Sequence, residues 1–158
     1  MKDLTHTDAA GRARMVDVSG KRDTLRTARA EGTITMTAES LDAIEANLVS
    51  KGDVIATARI AGIMAAKKTA DLIPLCHPIS LTDVGIEFAI ERELPGIRAS
   101  AWASSRGPTG VEMEALTAVT VALVTIYDMV KALDRGMEIS GIRLTEKRGG
   151  KSGDWRRD

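Results

Sequence analysis

TGVEMEALTAVTVALVTIYDMVKA, residues 109–132, is the stretch that decides the fold. Thr109 and Gly110 precede Glu112 and Glu114, acids placed where the free N–H groups and the positive end of a helix dipole favour negative charge. From Ala115 to Leu133 nearly every residue is apolar or threonine, so the segment reads as a long helix buried against a sheet and a second chain. Asp128 and Lys131 are the exceptions. Spaced i, i+3, they share a face and can pair. A charge pair taken out of water is a poor way to stabilise a helix, so the pair points to function. At 1.5 Å per residue, Glu114 and Asp128 lie about 21 Å apart along the axis, although their angular positions differ by only about 40°. Either the two ends serve different pockets, or a symmetric partner brings its N-terminal acids to this Asp128 and Lys131; the second arrangement is the favoured expectation.

Working outward, Met137 to Thr145 gives a last strand whose apolar positions change parity, which predicts a bulge near Ser140 and Gly141. On the other side, Val84, Ile86, Phe88 and Ile90 alternate with Asp83, Glu87 and Glu91. A turn at 94–96 then returns the chain as a hairpin strand over 97–104. DLIPLCHPIS (71–80) is bounded by Pro74 and Pro78, whose fixed φ angles hold His77 in place, where it can donate to an anion or move a proton. Asp53 is the predicted cap of a small-residue helix over 54–68, and Ser40 that of a shorter helix with Leu41, Ile44 and Leu48 on one side. Lys51 falls in the loop between them. Leu25 to Met36 resembles a strand, with a helix as the alternative for its first half, and MVDVS (15–19) alternates like a short one. Residues 1–14, including His6, read as an arm that can be flexible, ahead of a single catalytic domain over 15–158.

Together these elements predict an α+β fold: a four-stranded, mainly antiparallel, ferredoxin-like sheet with helices packed on one face. In 158 residues, 44% are hydrophobic but only 3% aromatic, so the core must be aliphatic. Twenty-two basic and 22 acidic side chains cancel, which removes the case for nucleic acid or a membrane surface and makes any anion site local. The single cysteine, Cys76, rules out an internal disulfide; with no apolar leader after Met1, the expectation is a cytoplasmic protein. Asp128 and Lys131 argue against reading the apolar run as a membrane span. The tail, RGGKSGDW (148–155), imitates the end of a P-loop, but Thr145 stands where its first glycine belongs. The glycines and Lys151, with Lys147 just before them, can still meet a phosphate.

MVDVS (15–19), KGDVIATARIAGI (51–63), DLIPLCHP (71–78), the helix over 109–132 and GGKSGD (149–154) resemble, in order and spacing, the cyclic pyranopterin monophosphate synthases, the MoaC family of molybdenum cofactor biosynthesis. The likeness runs from about His6 to Trp155. It implies a homohexamer, a trimer of dimers with active sites at the dimer interface. It also implies a lyase reaction in which a cyclic dihydroguanosine triphosphate becomes cyclic pyranopterin monophosphate and diphosphate. On that resemblance Asp128, Lys51 and Lys131 are catalytic, with Asp128 and Lys131 a coupled acid–base pair and burial tuning Lys131. Leu75, Cys76, His77, Met113 and Glu114 match substrate-binding segments, joined by Glu112 as an acceptor for base N–H groups and by Lys147 and Lys151 toward the triphosphate. Lys67 is a weaker phosphate candidate. No metal site or cofactor is expected, magnesium entering only with the substrate triphosphate. Pro108 departs from the family, many members having a basic residue there, and Arg106 is the nearest substitute.

Overall fold

The computed structural model describes residues 10, 12–151 and 153–158. Most of the expected arm, with His6, and Ser152 of the tail lie outside the described residues. Four long strands form in chain order: β1 (Thr24–Thr35), β2 (Leu81–Glu91), β3 (Gly96–Gly107) and β4 (Glu138–Arg148). The alternation in β1 is real, with Ala28, Ala30 and Ile34 buried and Arg29 exposed between them. This excludes the helical alternative. β1 occupies the middle of the sheet, paired antiparallel with β3 in unbroken register from Thr24↔Gly107 to Thr35↔Gly96, and with β4 on its other side. β2 and β3 make the expected hairpin.

The sheet has five strands, not four. After Gly149 the tail turns back and β5 (Trp155–Arg156) pairs with Lys147 and Glu146, giving the order β2-β3-β1-β4-β5. Two residues are too short to show a period, so the sequence could not announce this strand. The bulge expected in β4 is present, since the pairing slips between Glu31↔Arg143 and Thr33↔Ser140 beside Gly141. A second slip opposite Arg29 and Ala30 was not read. MVDVS is irregular rather than a strand: among the described residues no strand pairs with it.

Four helices are described: α1 (Ala38–Glu45), α2 (Val54–Ala66), α3 (Thr69–Leu72) and α4 (Glu112–Val130). Thr37, not Ser40, caps α1: its extended backbone lets Oγ1 accept the Ser40 N–H, and Ser40 is buried one turn in. Asn47, at φ 54°, ends that helix early enough to leave Leu48 exposed, although Leu41 and Ile44 are buried as expected. Asp53 caps α2 through Ala56 N–H, as read from the sequence. α4 lies across the sheet and α2 packs on α4. Gly62 allows that contact, because a Cβ there would stand 2.7 Å from the Ala118 carbonyl oxygen and collide with Ile86. α4 is long and apolar enough to cross a bilayer, but Ala115, Ala118, Val119, Ala122, Leu123 and Ile126 are spent on the protein's own core.

Candidate active site

The N-terminal end of α4 borders a cavity of about 280 Å³. Val111, without a side-chain capping bond, begins the helix, two residues later than Thr109 and Gly110 suggested. Its first turn then delivers Glu112, Met113 and Glu114 to the cavity wall, and Leu75, Cys76 and His77 arrive from the proline-bounded segment opposite. Six residues that sequence reasoning put at a binding site are therefore gathered in one place. His77 is half-buried and its Nε2 lies 2.7 Å from the Val16 carbonyl oxygen, so that nitrogen carries the proton and donates. Through this bond the 15–18 segment is strapped over the cavity.

Glu114 is only 3% exposed. Burial pushes its carboxyl above the ordinary range; a backbone N–H works against that push and the neighbouring charge of Glu112 adds to it. Burial also raises the Cys76 thiol, with Glu114 contributing, so Cys76 is a protonated, weakly reactive group.

At the other end of α4, Asp128 sits between two lysines. Lys51 Nζ is 2.8 Å from Asp128 Oδ2 and also donates to the Asp128 backbone carbonyl at 2.8 Å, while Lys131 Nζ is 2.7 Å from Oδ1. Lys51 thus has a second task that its loop position did not reveal, satisfying a carbonyl in the last turn of α4, where the dipole favours a cation. The expected buried pair is instead an exposed triad, the three side chains being 45%, 54% and 52% exposed for Lys51, Asp128 and Lys131. The segment that seemed apolar on most sides ends at the surface, and Lys131 is not buried there. The carboxylate of Asp128 is held down at about 2, chiefly by its bond to Lys131 and then by that to Lys51.

Lys147 Nζ lies 3.9 Å from Glu112 Oε1, which ties β4 to the cavity wall. Lys151 lines a separate cleft of about 670 Å³ with Lys21, Arg22 and Arg26. Lys21 reaches both spaces. Sequence reasoning missed these three cations. The signal was the basic pair Lys21–Arg22 after the Ser19–Gly20 turn, which no periodic pattern connects with Lys151. Lys67 caps the end of α2 and lines neither space, whereas Arg106 borders a further pocket of about 340 Å³ with His77 and Pro108. Among the described residues no group of His, Cys, Asp and Glu is placed to hold a metal ion.

The MoaC family profile matches residues 15–150. The chain is 64% identical over 156 residues to a cyclic pyranopterin monophosphate synthase of Novosphingobium aromaticivorans, covering 99% of this chain and 98% of the relative. It is 61% identical over 158 residues to a protein of the same name from a Methylobacterium species, with 100% and 99% covered. A third, from Methylobacterium nodulans, is 61% identical over 153 residues, with 97% and 96% covered.

Proposed function

The chain belongs to the MoaC family, and from that membership together with the two half-sites on α4 we infer that it catalyses the cyclic pyranopterin monophosphate synthase reaction of molybdenum cofactor biosynthesis. As a lyase it converts (8S)-3′,8-cyclo-7,8-dihydroguanosine 5′-triphosphate to cyclic pyranopterin monophosphate and diphosphate. The observation that carries the reading is the Lys51–Asp128–Lys131 triad gathered at one end of the helix whose other end borders the acid-lined cavity.

The chemistry needs proton transfers, to open the imidazole part of the purine and close a pterin ring, and cations around the diphosphate that leaves the α-phosphorus. The side chains divide along those lines. Asp128 stays ionised and serves as the fixed anion that aims two ammonium groups; Lys51 and Lys131 are the proton donors and acceptors. Glu112 and Glu114 receive the base N–H groups, with Glu114 able to hold a proton itself, and His77, whose Nε2 is engaged by Val16, presents Nδ1 as an acceptor from the facing wall. Lys21, Lys147 and Lys151 attend the triphosphate, and magnesium enters as its counter-ion.

About 21 Å of helix separates the two half-sites, too far for one small molecule. Ile60 and Met64 of α2 and Val124 of α4 are exposed on the helix layer between them, 61%, 53% and 52% respectively. A twofold partner laid antiparallel on this apolar patch would bring its cavity to this triad, which supports the composite dimer site and, by extension, the hexameric trimer of dimers. The order β1-α-β2-β3-α4-β4 likewise supports a ferredoxin-like reading, with β5 as an addition. A cytoplasmic location goes with this biosynthetic role.

The test is incubation of the purified protein with the cyclic triphosphate, following pterin and diphosphate together. Both products in equal amount are expected. Binding without turnover would overturn the reading in favour of a nucleotide sensor, and diphosphate alone would leave a triphosphate-cleaving enzyme. Mixing Lys51→Ala and His77→Ala subunits tests the shared site: activity returns in mixed dimers if the two residues come from different chains, and no recovery after verified exchange rules that out.

A further inference from the structure

We propose that Arg26 is a positioning residue that fixes the separation between the acid-lined cavity and the cationic cleft; this rests on the synthase reading given above. Arg26 projects near the start of β1 and is half-buried. Its Nε donates to the Gly107 carbonyl at 2.9 Å and its Nη2 to the Pro108 carbonyl at 3.0 Å. Among the described residues no carboxylate pairs with it. The side chain is spent on main chain, and on a turn that offers few other handles, since Pro108 has no N–H to donate. Two successive carbonyls suit a planar guanidinium, whose N–H donors are fixed in a fork.

The same guanidinium supports a second turn. Gly149 and Gly150 have φ of 85° and 83°, and a Cβ on Gly150 would collide with Arg26 Nη1. The backbone of that turn therefore rests directly on the arginine. One side chain sits between two segments that border the site from different directions. The 107–110 turn runs into α4 and sets where Glu112 and Glu114 stand, while the 149–150 turn carries Lys151 and follows Lys147. A substrate whose base lies in the cavity and whose triphosphate lies among the cations spans both. Its reacting atoms are aligned only if the two turns keep a common reference, and displacement by about 1 Å can cost about a hundredfold in rate.

Arg26→Lys separates this role from simple charge. Lysine keeps the positive charge in the cleft, but its single ammonium cannot reproduce the fork. The first readout is amide hydrogen exchange without substrate, where both 107–114 and 149–153 should exchange faster, by about tenfold or more, with the centre of the sheet unchanged. The second is steady-state turnover of the cyclic triphosphate, where kcat should fall by about ten- to a hundredfold with KM within about threefold of the parent. Unchanged exchange at either segment would overturn the proposal, as would a parental kcat, or a raised KM alone, which would make Arg26 a ground-state phosphate contact. If the parent protein itself converts nothing, the synthase reading fails, and the exchange comparison still decides whether Arg26 holds the two turns.

Discussion

The two ends of α4 treat a carboxylate in opposite ways. At the N-terminal end Glu114 is buried beside another acid and its proton is held more tightly than usual. At the C-terminal end Asp128 is half-exposed between two ammonium groups and its proton is given up down to about 2. Sequence places both acids on one helix, and nothing in their chemistry as residues distinguishes them. Environment does: desolvation and a like charge make one a proton carrier, and two hydrogen-bonded cations make the other a permanent anion.

The largest effect should come from removing the permanent anion or its partner. Asp128→Asn or Lys51→Ala should lower product formation by about 10³-fold or more, measured as pterin released, with the oligomer intact by light scattering. Near-parental turnover in Asp128→Asn would erase the contrast, since a neutral amide cannot hold two ammonium groups. Next, Glu114→Gln should lower turnover by about ten- to a hundredfold, by loss of charge-assisted bonds to the base.

The same Glu114→Gln variant tests the electrostatics through stability. Because the folded pKa of Glu114 is raised, the stability linked to its proton is present below its ordinary value of 4.5 and is lost as pH rises through the folded pKa. Glutamine should therefore melt higher than the parent near pH 8, and the gain should vanish near pH 4 in a thermal scan. Asp128 has the reverse sign: its depressed pKa gives stability present above its ordinary 3.8 and lost as pH falls toward about 2. That contribution is small because the ion pairs are exposed, so Asp128→Asn should lower the midpoint only slightly above about pH 5, and the difference should vanish as pH falls toward about 2. The smallest expected change in turnover is that of Gly62→Ala. It should cost about 1–3 kcal/mol in denaturant unfolding by pushing α2 from α4, with activity reduced only as far as Lys51 is drawn from Asp128.

The hairpin could be read directly from its alternation and the long helix from its apolar length, whereas the central strand left a helix open for its first half. The residues by themselves point only to His77 between its two prolines and to the acids at the helix start; the grouping of Leu75, Cys76, His77, Glu112, Met113 and Glu114 as a binding site comes from the resemblance. What escaped was whatever depends on a partner distant in sequence. The two-residue strand at Trp155 exists only because Lys147 is there to pair with it. The exposure of the Lys51–Asp128–Lys131 triad follows from where the apolar stripe of α4 runs out against the sheet, and a one-dimensional count of apolar residues put that limit too late. Arg26 resembled any other charged residue on a strand, and only the approach of two turns distinguishes it.

With a proposed half-site at each end of α4, the length of the helix is itself under constraint. One added residue between Glu114 and Asp128 would turn the triad by about 100° about the axis, onto another face. Seven added residues would restore the face within about 20° but lengthen the span by about 10 Å. No small insertion or deletion satisfies both conditions. Divergence in this segment should proceed by substitution alone, while the 92–95 turn, which carries none of the triad or cavity residues, can gain and lose residues. The helix behaves as a gauge, and its error tolerance is less than one residue.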